Sequence, residues 1–262
     1  MDYPNSVTLK DETTIPWAYY AITDEDYSEE EKRLECIAFI LRVFFIVIYS
    51  VAFLVGTIGN GVVIFFTVFV MKRTVNVVWF LNLAIADFLF SFFLPLSITH
   101  VTLNFHWPFG KFMCKLNHTV LFINLYASIF LLTVISVDRY ISVVFPVWCQ
   151  NHRTPRLASL VAGAVWILAF IFSIPYAIFR DINDNAEDYV SCYNNFHADE
   201  DIAYSRHKAT EDQVVASSIH KGMIIIRLIF SFIIPFTVII LCYAVIISRI
   251  QRNRMKHNWQ AI

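Results

Sequence analysis

Ser136-Val137-Asp138-Arg139-Tyr140 closes a long apolar run, and its Arg139 stands 25 residues beyond Cys114. An Arg beside an Asp at the end of an apolar helix long enough to cross a bilayer is costly to place and needs a partner or a task there. Reading outward, residues 111–144 form one apolar window that begins near Cys114 and ends just past Tyr140. Four more windows, 43–71, 76–103, 156–179 and 219–250, are each long enough to cross about 30 Å of hydrocarbon. The cleanest is 156–179, with no charged residue from 160 to 179.

Composition agrees. The 262 residues are 58% hydrophobic and 16% charged, with a mean hydropathy of +0.59. A soluble domain rarely carries so much apolar material with so little charge. The net charge of -1 hides a segregation. Residues 1–36 hold ten acids (Asp2, Asp11, Glu12, Asp24, Glu25, Asp26, Glu29, Glu30, Glu31 and Glu35) against Lys10, Lys32 and Arg33. Basic residues cluster at alternate connections: Lys72 and Arg73, then His152, Arg153 and Arg156, then Arg249, Arg252, Arg254 and Lys256. The positive-inside rule puts these connections in the cytoplasm and the acidic head and the 180–218 loop outside. No basic stretch precedes a short apolar run, so no cleaved leader is expected.

The expected organisation is an acidic, disordered extracellular tail at 1–36, a five-helix membrane region at 37–250, and a basic cytoplasmic tail at 251–262. Asn104-Phe105-His106-Trp107-Pro108-Phe109-Gly110 reads as a turn, because Pro and Gly interrupt the helical pattern. Ser191-Cys192-Tyr193 reads as strand within the 180–218 loop. No metal-ligand spacing, phosphate-binding Gly loop or nucleophile elbow is present in the sequence, so neither an enzyme nor a nucleic-acid-binding protein is expected. Of the five cysteines, Cys36, Cys114 and Cys192 fall on the side where disulfides form, and Cys149 faces a reducing compartment.

Polar residues inside the spans carry the functional argument. An Asp at mid-membrane costs about 2.5–3.5 kcal/mol on insertion scales. Asn60, Asp87 and Ser128 each lie eleven residues from the basic end of their window, about 16 Å deep. Asn124 shares a face with Ser128, four residues on. These four residues read as one interior cluster, either a sodium site with Asp87 as its anion or a hydrogen-bonded packing cluster. Asp138 is expected to pair with Arg139 and release it on activation, with Tyr140 and Tyr243 in the same switch. Arg227, eight residues before the helix-breaking Pro235, is a cation in the outer half of its span. It suits a peptide carboxylate, which Arg can hold bidentately. Acid surrounds Tyr27, as in sites of tyrosine sulfation, and such a tail attracts basic ligands. Asn117-His118-Thr119 is a glycosylation sequon that its place within a helix discounts.

Together, Gly59-Asn60, the Leu81–Asp87 run, the His106–Gly110 turn, Cys114, Asp138-Arg139-Tyr140, Trp166, Cys192, Pro235 and Tyr243 resemble the rhodopsin class of G-protein-coupled receptors. The stretches 72–80, 146–153 and 179–181 resemble its chemoattractant peptide branch, closest in look to the chemerin receptors. The resemblance implies an all-α bundle of which this chain carries five of seven helices, a Cys114–Cys192 disulfide, and ligand contacts at Arg227, Trp107, Asn117, Leu121 and Cys192. It also implies a heterotrimeric G protein of the inhibitory class as partner and a multi-pass plasma-membrane location, with lipid around the helices and receptor oligomers possible. Where the family continues into helices six and seven, the chain ends at Ile262. The expectation is therefore a truncated form of a receptor, or a five-helix product that sequesters full-length receptors.

Overall fold

The computed structural model describes residues 17–186, 189–195 and 208–260, with side chains over 29–183, 189–195 and 217–252. The chain divides into two units, Met1–Phe45 and Ile46–Ile262. Its helices are α1 (Trp17–Phe65, continued by a wider π turn, Phe66–Val70), α2 (Val75–Thr102), α3 (Gly110–Val144), the short α4 (Pro146–His152), α5 (Pro155–Ile178), α6 (Lys208–Leu228) and α7 (Ile234–Gln260). A second π turn, Ile229–Ile233, joins α6 to α7 as one continuous helix. Strands β1 (Arg180–Ala186) and β2 (Tyr189–Asn194) form an antiparallel hairpin between α5 and α6. Among the described residues, five helices are long and apolar enough to cross a membrane: 29–70, 75–102, 110–144, 155–178 and 217–252.

Two expectations are corrected. From Trp17 the tail expected to be disordered is helical and runs straight into the first span. No Pro or Gly occurs between Trp17 and Gly56 to break it. The expected 180–218 loop is also shorter: it folds first into the hairpin, and helix resumes at Lys208. Residues 1–16 lie outside the described part of the chain, as do the side chains of 17–28, and with them that of Tyr27.

Local chemistry sets the helix ends. Thr74 caps α2 and Thr154 caps α5, each hydroxyl accepting from the backbone N–H three residues on, at 3.3 Å. Pro155 occupies the first turn of α5, where its missing N–H costs nothing. Between α2 and α3, Asn104 and Phe105 adopt positive φ (55° and 65°). Asn tolerates that region; Phe does so at a cost that neighbours must offset. They do. The Tyr189 hydroxyl donates to the Asn104 carbonyl at 2.8 Å, and His100 Nε2 lies 3.0 Å from the Phe105 carbonyl. Pro235, which lacks an N–H, comes two residues after the π turn, where the helix widens instead of holding a regular bond.

The core of the second unit is the α2–α3–α5 contact. Ala158, Ala162, Val165, Ala169 and Ser173 form one face of α5, all at most 4% exposed. Small residues at this spacing let backbones approach closely, which is how membrane helices gain packing energy. Val75, Val78, Trp79 and Leu131 complete one buried cluster, and Ala86, Phe122, Tyr126 and Ala127 a second. At Gly56 a Cβ would lie 2.1 Å from Ser91 Oγ, so α1 meets α2 there only because that residue is glycine.

Candidate functional site

Three layers lie along α3. At one end, Cys114 on α3 is joined to Cys192 on β2, with a Cα separation of 5.9 Å. Trp107, 2% exposed, packs on this disulfide and donates from Nε1 to the Gly110 carbonyl at 3.0 Å. The Trp107 backbone N–H donates to the Val190 carbonyl at 2.8 Å, and the Val190 N–H to His106 Nδ1 at 3.1 Å. The α2–α3 turn is thus laced to the hairpin.

Arg180, which the sequence reading gave no role, organises that hairpin from within. Only 8% exposed, it donates from Nη2 to the Cys192 carbonyl at 2.8 Å and from Nη1 to Asn194 Oδ1 at 2.9 Å, with Nε directed at Cys192 Sγ. Burial pushes its guanidinium down to about 10, still charged at neutral pH. Next to it, Asp181 binds Lys111 on α3 through both oxygens, at 2.9 and 3.1 Å. Burial raises the Asp181 carboxyl, but the bonds from Lys111 and the Ile182 N–H and the charges of Lys111 and Lys115 outweigh it. The net direction is below the usual carboxylate range.

The other ligand-side candidates differ in position. Asn117, 8% exposed, donates to Ser97 Oγ at 3.3 Å across α2–α3. Leu121 packs beside Phe122 and Tyr126. Arg227 is half-buried near the end of α6, close enough to Tyr126 for its charge to act there. No acid pairs with it among the described residues. Trp107 and Cys192 serve the scaffold with buried side chains, whereas Arg227 is a half-buried cation with no acid paired to it among the described residues.

The middle layer is the polar cluster. Ser128 Oγ lies 3.1 Å from Asp87 Oδ1 and 3.1 Å from Asn124. With its amide nitrogen toward Asp87, Asn124 donates to Asp87 Oδ1, the Ala86 carbonyl and Ser128 Oγ, each at 3.1 Å. That frees the Ser128 hydroxyl to donate to Asp87 Oδ1. The opposite orientation sets an amide oxygen against the carboxylate, which only a cation between them would favour. Asn60 does not join by hydrogen bond: its Nδ2 donates to the Gly56 carbonyl of its own helix at 2.9 Å. Just below, Trp166 Nε1 donates to Asn82 Oδ1 at 3.0 Å, binding α5 to α2. The sequence reading gave Trp166 only as part of the family pattern, with no partner.

At the far end the expected Asp138–Arg139 pair is corrected. Asp138 accepts from Arg153 instead, from Nε and Nη2, both at 2.8 Å. Arg139 donates from Nη2 to Asn76 Oδ1 at 2.9 Å, and Arg153 Nη2 donates to the same oxygen at 2.6 Å. Adjacent residues on a helix point about 100° apart, so Asp138 faces the α4–α5 connection while Arg139 faces α2. The bond from Asp138 holds the Arg153 guanidinium above its ordinary value. Asn76 and Arg153 were missed as site residues; two arginines within reach of one acid was the available signal. Tyr140 is half-buried on α3 and Tyr243 lies exposed on α7.

Comparison with known proteins identifies the family. A model of the seven-transmembrane receptor (rhodopsin family) matches residues 59–261. A chemerin-like receptor 1 from Rattus norvegicus is 47% identical over 229 residues, 87% of this chain and 60% of that protein. The Mus musculus chemerin-like receptor 1 is 44% identical over 260 residues, 98% of this chain and 67% of the relative. The N-formyl peptide receptor 3 of Homo sapiens is 38% identical over 216 residues, covering 82% and 60%. The chain thus spans about 60–67% of the length of these relatives. With five bilayer-length helices among its described residues and a family model covering most of its length, it is a multi-pass membrane protein of a receptor family, not an enzyme family: the chain belongs to the rhodopsin family of seven-transmembrane receptors.

Proposed function

We propose that this chain serves as a chemoattractant receptor at the plasma membrane, its N-terminus outside, taking a peptide or small protein of the chemerin type. The observation that carries this reading is the three-layer order along α3: a disulfide-stapled hairpin, a polar midpoint, and an Arg139 held by a neutral acceptor. Arg227 would bind the ligand's terminal carboxylate, because a half-buried cation in the outer half of its span suits an anion that Arg can hold bidentately. The acidic tail, with Tyr27 as a sulfation site, would gather basic ligands by long-range attraction.

At the opposite end Arg139 is the movable group. Its bond is to a side-chain amide, weaker than a carboxylate pair, and Asn76 keeps Arg153 as a donor when Arg139 leaves. Release of Arg139 toward a heterotrimeric G protein, of the inhibitory class by resemblance, therefore leaves no buried charge unpaired. Ligand shifts this equilibrium only by its differential affinity for the two states. Asp87, Ser128 and Asn124 supply the hard oxygen donors that Na⁺ takes, with Asn124 turning its oxygen inward; a bound ion would hold the resting arrangement.

A second reading rests on exposed apolar surface. Within the best apolar window of 217–252 only 6% of residues are buried, a face that further receptor helices would cover. In that reading the chain associates with full-length relatives and restrains them. One experiment separates the two. Cells expressing the chain are treated with a chemerin peptide bearing a free carboxyl terminus, and G-protein activation is measured for wild type and Arg227→Ala. Activation that Arg227→Ala weakens about tenfold or more supports the first reading. Silence of both, with reduced surface delivery of a co-expressed full-length relative, supports the second. Activation unchanged in Arg227→Ala sinks the carboxylate role.

A further inference from the structure

The connection between α4 and α5 reads Arg153-Thr154-Pro155-Arg156. Of the eight prolines in the chain, Pro155 alone follows a Ser or Thr. Proline has no N–H and disfavours helix in the residue before it. Thr154 accordingly has extended backbone between the two helices, with φ -111° and ψ 152°. It is exposed, and its hydroxyl oxygen accepts a long bond from the Leu157 N–H, at 3.3 Å. An accessible hydroxyl in extended backbone is the form in which a protein kinase takes its substrate. Pro155 narrows the class. A kinase that must bond to the N–H after the acceptor rejects proline there, and a proline-directed kinase accepts it.

What surrounds Thr154 gives a phosphate its effect. Thr154, Arg153 and Asp138 line one open groove beside α4. Pro155 and Arg156 border a second open hollow with Arg73 and Ser159, where Arg73 Nη2 donates to Ser159 Oγ at 3.3 Å. A phosphate ester carries a charge of about -1.5 to -2 at neutral pH. On Thr154 it repels Asp138 and attracts Arg153, whose guanidinium bridges Asp138 and Asn76. Arg139 shares that Asn76 oxygen. When Arg153 turns to the phosphate, Asn76 and Asp138 are both left to Arg139.

We infer that Thr154 is a phosphorylation site for a proline-directed kinase, and that its phosphate draws Arg153 from Asp138 and so restrains Arg139. In the step, Thr154 Oγ1 attacks the γ-phosphorus of ATP. The new O–P bond forms as the bond to the β-phosphate oxygen breaks, ADP leaves, and the hydroxyl proton passes to the kinase's carboxylate base. The inference rests on the proposed receptor reading in two respects, the cytoplasmic side of this connection and the release of Arg139. Phosphorylation there damps signalling.

The test takes the full chain in detergent micelles, where both faces are open, with ATP and a proline-directed kinase. Phosphate is mapped by mass spectrometry. It is expected on Thr154 in wild type and on the new acceptor in Thr154→Ser, and is to be lost in Pro155→Ala, which keeps the acceptor and the helix. Phosphorus NMR then reads the neighbours. Beside a guanidinium the second phosphate pKa should fall below its ordinary value, about 6. It should rise back in Arg153→Gln and, because Arg153 is released, fall further in Asp138→Asn, which keeps the test standing if Arg153→Gln does not fold. Loss of a helix cap alone would move none of these values. Thr154 unmodified in wild type, labelling retained in Pro155→Ala, or a phosphate titrating at its ordinary value in wild type overturns the proposal. None of these readouts uses signalling or orientation. An N-terminal epitope stained on unpermeabilised cells tests the orientation by itself, so failure of the receptor reading is told apart from failure of the site.

Discussion

The Asp138–Arg153 pair makes a quantitative claim against the neighbouring alternative, Asp138–Arg139. Two bonds of 2.8 Å join Asp138 to Arg153, with side chains 12% and 25% exposed. With charge centres roughly 4 Å apart, attraction is about 4 kcal/mol at an effective dielectric constant of 20. Desolvating both partners takes back part of that, and a fully exposed pair would retain about 0–1 kcal/mol. A half-buried bidentate pair falls between, at about 2 kcal/mol. A double-mutant cycle isolates this figure, because Arg153→Gln alone also disturbs the bond to Asn76. Asp138→Asn and Arg153→Gln, singly and together, are to be compared by equilibrium denaturation in mixed micelles, followed by tryptophan fluorescence. The expected coupling is about 1.5–2 kcal/mol. The same cycle between Asp138→Asn and Arg139→Gln should give less than about 0.5 kcal/mol. If the Arg139 cycle equals or exceeds the Arg153 cycle, the geometry drawn from the structure is wrong.

Other outcomes follow from the same geometry. Trp166→Phe keeps the ring but removes the donor to Asn82, and should cost about 1 kcal/mol, read as a lower Tm in detergent; an unchanged Tm would refute the cross-link. Sodium should raise the Tm of wild type over potassium at equal ionic strength, and Asp87→Asn should erase the difference; sodium dependence surviving in Asp87→Asn excludes the ion site. Arg180→Met should cost about 1–3 kcal/mol by removing the bonds that hold Cys192 and Asn194, seen as faster hydrogen exchange across the hairpin. The lowered Asp181 carboxyl stabilises the fold above its unfolded pKa, about 3.9, and loses that contribution as pH falls through its lower folded value. Because Lys111 is 56% exposed, the effect is small, under about 1 kcal/mol. Asp181→Asn should therefore lower Tm slightly at pH 6, by an amount that shrinks as pH falls below about 3.9; a difference that does not shrink with falling pH would assign the effect to something other than charge.

The spans were legible in the chain because hydropathy over 18 or more residues leaves a helix no soluble alternative. Expected windows such as 76–103 and 111–144 agree with α2 and α3 to within a residue. The depth count also brought Asp87, Ser128 and Asn124 together, since helical rise is regular and intramembrane polar residues seek one another. It did not distinguish Asn60, which shares the level but bonds within its own helix. Counting along an axis gives height, not the direction a side chain takes.

The chain by itself determined which segments cross the bilayer, where their polar residues lie along the normal, and which family pattern they compose. These follow from local composition and a fixed rise per residue. Only the tertiary structure decided who meets whom. Asp138 has Arg139 next to it in sequence and Arg153 fifteen residues away, and it binds the distant one because α3 turns Arg139 toward α2. Arg180 holds the hairpin through the pairing of β1 with β2, and Trp166 reaches Asn82 through the rotation and packing of separate helices. Small residues along one face of α5 set that packing, and pairing across helices depends on it more than on any neighbour along the chain.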